Sequence, residues 1–128
     1  MHTTTSGSAA SADDQAASEN AALVDADVIG RTVERALARR AALPPFQELL
    51  DLEEILRGHI ELLAPIVEAQ AARMNRGNTA WYQRRSSLDR ARRALSDSMG
   101  AGLQSADIHI RELGRVCRSL LDYEQGLR

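Results

Sequence analysis

The sequence predicts an all-α fold, an antiparallel up-and-down bundle of three long helices plus an N-terminal helix. Three observations carry this. Apolar residues recur every three to four positions over residues 49–74, 81–99 and 106–123, the spacing of amphipathic helices. Pro44 and Pro45 stand before the first of those stretches, and Gly77, Gly100 and Gly102 fall between them, where connections belong. Aromatic side chains are scarce, with Phe46, Trp81, Tyr82 and Tyr123 alone, so the core is left to Leu, Ile, Val and Ala, a palette that suits helices. A lone amphipathic helix cannot hide its stripe, so these must pack on one another or on a partner.

Residues 1–20 contain no Leu, Ile, Val or aromatic residue, cannot offset ordering entropy by burial, and are expected to be a disordered tail. The helical domain is expected over residues 21–126. Leu23, Val24, Val28, Ile29, Val33, Ala36, Leu37 and Ala41 lie along one helical face. Asp25 and Asp27 suit early turns, and Pro44 and Pro45 end the helix near Ala42. The same prolines fit the first turn of the second helix, where a missing N–H is harmless. Its stripe runs Leu49, Leu52, Leu56, His59, Leu63 and Ile66, and Pro65 within it predicts a kink more than a break. Residues 75–78, with Gly77, read as a tight turn, and Asn78 or Thr79 can cap the third helix. That helix shows Trp81, Leu88, Ala91, Leu95 and Met99 on one face. Ser105 is a candidate cap for the fourth helix, with Asp107 in its first turn, and Gly126 is its expected terminator.

Charge suggests a pairing rule. Residues 44–72 hold six acids against Arg57, whereas residues 73–95 hold seven arginines against Asp89. Opposite signs on consecutive antiparallel helices suit a hairpin whose flanks complement each other, although each exposed pair contributes only about 0–1 kcal/mol.

The formal charge of −2 is too close to balance to announce a nucleic acid or a membrane surface. The single cysteine, Cys117, excludes an intramolecular disulfide, fits a reducing compartment and reads as a small core residue. No stretch approaches the roughly 18 apolar residues of a spanning helix, and no secretory signal opens the chain. A cytoplasmic protein is expected. His59 and Glu61 point to different faces of a helix, and His109 and Glu112 supply two ligands where zinc wants three or four. No metal, cofactor, phosphate loop or nucleophilic triad is implied.

His59 stands at a stripe position where an aliphatic residue is expected. A core histidine bonded to a facing polar group is the simpler reading; a small-molecule or catalytic site using His59 with Arg57 and Glu61 is the alternative. Arg84, Arg85, Arg92 and Arg93, preceded by Trp81 and Tyr82, could form a basic strip for nucleic acid. The acidic flank next to it favours a solvated or internally paired face instead. The leading functional expectation is a non-enzymatic interaction or regulatory module, acting on a protein partner or as a homodimer.

The stretch from Leu56 to Glu68, LRGHIELLAPIVE, resembles the LRGHxxLLxPxVE signature of a family of small actinobacterial proteins named for natural product biosynthesis. The likeness continues through Ala71-Ala72-Arg73, Ala91-Arg92-Arg93-Ala94-Leu95, Leu113-Gly114-Arg115-Val116 and Leu121-Asp122-Tyr123-Glu124, covers residues 44–124, and departs between Asn75 and Ser87. It implies an association with secondary metabolism and no particular reaction. It directs attention to Pro65 and to Arg57-Gly58-His59, where Gly58 could allow a close approach of another chain segment.

Overall fold

The computed structural model describes residues 14–39 and 42–127. Among the described residues there are five helices: α1 (residues 14–23), α2 (Ala26–Leu37), α3 (Phe46–Ala72), α4 (Thr79–Ser96) and α5 (Leu103–Gln125). No strand occurs among the described residues, and the all-α expectation holds.

Side-chain pairs give the directions. Glu53 and His109 lie early in α3 and α5, while Gln70 and Tyr123 lie late in both and are bonded, so these two helices run parallel. Arg57 reaches the end of α4, and Glu68 pairs with Arg85, so α4 runs against α3. Arg111 reaches the end of α2, which also runs against α5. The result is the expected up-and-down order. The α3–α5 pair forms the trunk, and α2 and α4 each pack on both members but not on each other. Its core is aliphatic, with Leu49, Leu56, Ile60 and Leu63 of α3 facing Ile110, Leu113 and Leu120 of α5, all fully buried.

The N-terminal region differs from expectation in two ways. Residues 14–20, expected within a disordered tail, are helical, and the remainder of that expectation lies outside the described residues. Small residues let this segment lie close to α3: Ala17 is buried, Asn20 Nδ2 donates to the Leu62 carbonyl at 3.1 Å and Asp14 pairs with Arg73. The helix expected from 21 to 42 is instead divided. Asp25 stands extended as the N-cap of α2, accepting from the Val28 N–H at 3.2 Å, because a carboxylate satisfies orphan donors at a helix start better than it serves mid-helix. Leu23 and Val28, expected on the buried face, are exposed.

Elsewhere the punctuation holds in part: α2 stops at Leu37, short of the expected end near Ala42, and Pro45 is the N-cap of α3, which begins at Phe46. Asn78 caps α4, accepting from the Trp81 N–H at 2.8 Å, and Gly77 takes φ +91° in the turn before it. Gly126 ends α5 at φ +74° in a left-handed cap. α3 continues through Pro65 without a break. Ser105 is not a cap: α5 begins at Leu103 with Gly102 at its N-cap, and the Ser105 hydroxyl donates to the Gly102 carbonyl. Asp107 lies beyond the first turn and pairs with Arg111.

The close approach expected at Gly58 occurs at Gly114 instead. A Cβ on Gly58 would meet nothing within 4 Å, whereas one on Gly114 would meet Ala36 Cβ at 2.9 Å and Leu37 Cδ2 at 3.2 Å. Gly114 thus sets the spacing between α5 and α2. Gly114→Ala is expected to lower stability in urea unfolding by about 1–3 kcal/mol through overpacking. Gly58→Ala is expected to raise it by about 0.5–1 kcal/mol, since only chain entropy changes there. Equal effects of the two would contradict this packing.

Candidate functional site

The most connected polar cluster sits where the start of α3, the end of α4 and the start of α5 meet. Arg57 donates to the carbonyls of Leu95 at 2.6 Å and Asp97 at 2.7 Å. Its guanidinium is held by Glu53, one turn earlier, at 3.2 Å. The same Glu53 oxygen accepts from Nε2 of the buried His109 at 3.1 Å. A helix end leaves its last carbonyls without partners and carries the negative end of the dipole, so a guanidinium satisfies both demands.

The arrangement recurs on the other side of the bundle. Arg111 donates to the carbonyls of Leu37 at 3.3 Å and Ala38 at 2.8 Å, at the end of α2, and is held by Asp107 at 3.1 Å. Both helices end in extended residues, Asp97 and Ala38, with no left-handed cap of their own.

Arg57, His59 and Glu61, the predicted ligand trio, do not converge. Arg57 turns to α4. His59 is half-buried and faces Thr32 of α2, with Nε2 at 3.3 Å from Oγ1. Ile60, not His59, occupies the core register. The Thr32 hydroxyl donates to the Val28 carbonyl at 3.1 Å, so its oxygen accepts and His59 carries its hydrogen on Nε2. Glu61 is exposed on the α4 side of α3, where it borders the groove between the two helices.

Burial holds the His59 imidazole below its ordinary pKa of 6.5. Burial likewise pushes the Cys117 thiol up to about 12, the nearby Arg118 charge opposing this only in part. Cys117 therefore packs as a neutral core residue and is a poor nucleophile.

The four arginines proposed as a basic strip are placed differently. Arg84 is 7% exposed; its guanidinium lies 4.6 Å from the Tyr123 ring centroid, and its Nε donates to Gln70 Oε1 at 3.1 Å. Arg85 and Arg92 both pair with Glu68. Arg93 is exposed with no carboxylate partner among the described residues. The charge-complementary hairpin thus rests on one acid, Glu68. Arg90 instead binds Glu112 of α5 through both oxygens at 3.0 Å.

Between α3 and α4 runs a groove of about 390 Å³, floored by Ala64, Pro65, Leu88, Ala91 and Leu95 and edged by Glu61, Glu68 and Arg92. No group of three or more His, Cys, Asp or Glu side chains able to hold a metal ion occurs among the described residues. None of their buried side-chain nitrogens or oxygens lacks a hydrogen-bond partner. The arrangement braces helix ends.

Sequence reasoning missed the roles of His109, Arg111 and Gln70. The four-residue spacing of Glu53 with Arg57 and of Asp107 with Arg111 was a usable signal, since such pairs share a helix face. What the spacing could not reveal was the neighbouring helix end that each arginine reaches.

The lowered His59 pKa has a consequence for stability. The folded chain favours neutral imidazole more than the unfolded chain does, so this contribution is present above pH 6.5 and is lost as pH falls below it. Between about pH 7.5 and about pH 5, the urea midpoint is expected to drop less in His59→Gln than in the parent. Equal drops would show that His59 carries no part of the pH dependence.

A family model described as a family of unknown function (DUF6415) matches residues 27–128. No curated protein and no solved structure matches the chain.

Proposed function

The chain belongs to DUF6415, a family of unknown function, and we propose that it is a non-enzymatic helical interaction module that pairs with a second copy of itself through the α3–α4 groove. The observation that carries this reading is the sign pattern across that groove. Glu61 and Glu68 edge it from α3, and Arg92 edges it from α4, over an apolar floor. Glu61 is exposed and has no charged partner among the described residues. A two-fold axis along the groove sets each copy's α3 against the other's α4. Such an isologous contact meets acid with base twice while covering both floors.

The consumption of most other polar groups within the fold supports a binding role over a catalytic one. Arg57, His109, Arg111, Arg84 and His59 all have partners inside the fold. The likeness of residues 56–68 to actinobacterial natural product biosynthesis proteins supports a cytoplasmic setting in secondary metabolism, where such a module acts by holding partners together. No helix among the described residues is long and apolar enough to cross a membrane.

Sedimentation equilibrium tests the pairing. The parent chain is expected to be dimeric at micromolar concentration, Glu61→Arg and Arg92→Glu each to weaken association, and the double exchange to restore it. A monomeric parent, or single variants that associate like the parent, would overturn the reading. Both side chains are exposed, so circular dichroism of the variants should match the parent.

A further inference from the structure

At the end of the molecule where α3 turns into α4 there is a separate pocket of about 420 Å³. Its apolar lining comes from Ala71, Met74 and the indole of Trp81, and its charged lining from Arg76, Arg85 and Glu68. We propose that this pocket binds a planar aromatic carboxylate, with the ring against Trp81 and the carboxylate on Arg76.

The charges in the lining are unequal in what they leave free. Glu68 is answered by Arg85 and Arg92. Arg76 is exposed and has no carboxylate partner among the described residues. One positive charge is therefore unbalanced, which selects an anion, and a guanidinium engages a carboxylate through two parallel hydrogen bonds.

The aromatic element is held in place. Trp81 lies in the first turn of α4 with its backbone N–H on the Asn78 cap. Tyr82 braces it edge-to-face, the ring centroids 5.0 Å apart at 74°. Trp81 is half-buried and lines the pocket, and such a side chain offers stacking area to a flat ring at little ordering cost. The volume falls within the range of small-molecule sites. A single-charge pocket matches a carboxylate better than a doubly charged phosphate monoester on the same ring. This inference does not rest on self-association, because Trp81 and Arg76 lie outside the α3–α4 groove.

Trp81 is the chain's single tryptophan, so one indole N–H cross-peak in a ¹H–¹⁵N correlation spectrum reports on this pocket. Titration of the full chain with 1-naphthoate is expected to shift that peak saturably. Naphthalene-1-methanol, acetate and 1-naphthyl phosphate should each require higher concentration. Arg76→Gln is expected to weaken naphthoate binding by about tenfold, the loss of a charged hydrogen-bonding group, with the remaining cross-peaks unmoved as a check on folding. The proposal is overturned if naphthoate leaves the indole peak in place, if the neutral alcohol binds as tightly, or if Arg76→Gln binds like the parent. Tighter binding of 1-naphthyl phosphate would overturn the carboxylate assignment.

Discussion

Every α-helix ends with carbonyls that its own turns cannot satisfy, and the way this bundle meets that demand organises its polar residues. α5 uses a left-handed glycine, Gly126. α3 tightens its last turn, with the Arg73 N–H donating to the Gln70 carbonyl and the Met74 N–H to the Ala71 carbonyl. α2 and α4 have neither device, and they are the two helices whose ends receive a guanidinium from the trunk, Arg111 for α2 and Arg57 for α4. Each arginine is aimed by a carboxylate one turn earlier on its own helix. These bonds involve charged groups, which makes each stronger than a hydrogen bond between neutral groups.

The clamps commit two arginines of an arginine-rich chain to backbone carbonyls, and ion pairs commit others. Seven arginines in residues 73–95 read as a basic face in one dimension. In three dimensions Arg84 is stacked on Tyr123, Arg90 is chelated by Glu112, and Arg85 and Arg92 share Glu68. Of these seven, Arg76 and Arg93 have no carboxylate partner among the described residues: Arg76 lines the Trp81 pocket, and Arg93 lies on the side of α4 that holds Arg90 and Asp97.

The helices were legible because their cause is local. Leu49, Leu52, Leu56 and Leu63 declare a stripe at the helical period, and Asn78, Gly77 and Gly126 declare its punctuation. Errors arose where two local signals competed. Asp25 could serve a first turn or a cap, and the cap won because the N–H of Val28 needed a partner. His59 and Ile60 could both claim the stripe; the apolar residue took the core, and the imidazole shifted to its edge against Thr32. Gly58 and Gly114 look alike in sequence, and only the packing of α2 on α5 separates them. The site was less legible than the fold because its groups come from distant stretches: His109 meets Glu53 across the trunk, and Arg111 reaches back to Leu37.

Native-state hydrogen exchange on Arg57→Gln and Arg111→Gln tests the clamping of helix ends most directly. In Arg57→Gln the amides of Ala94, Leu95 and Ser96 should lose protection while those at the end of α2 keep theirs. In Arg111→Gln the pattern should reverse, with Arg35, Ala36 and Leu37 exposed first. Uniform loss across the bundle in both variants, or unchanged protection at both helix ends, would contradict the account.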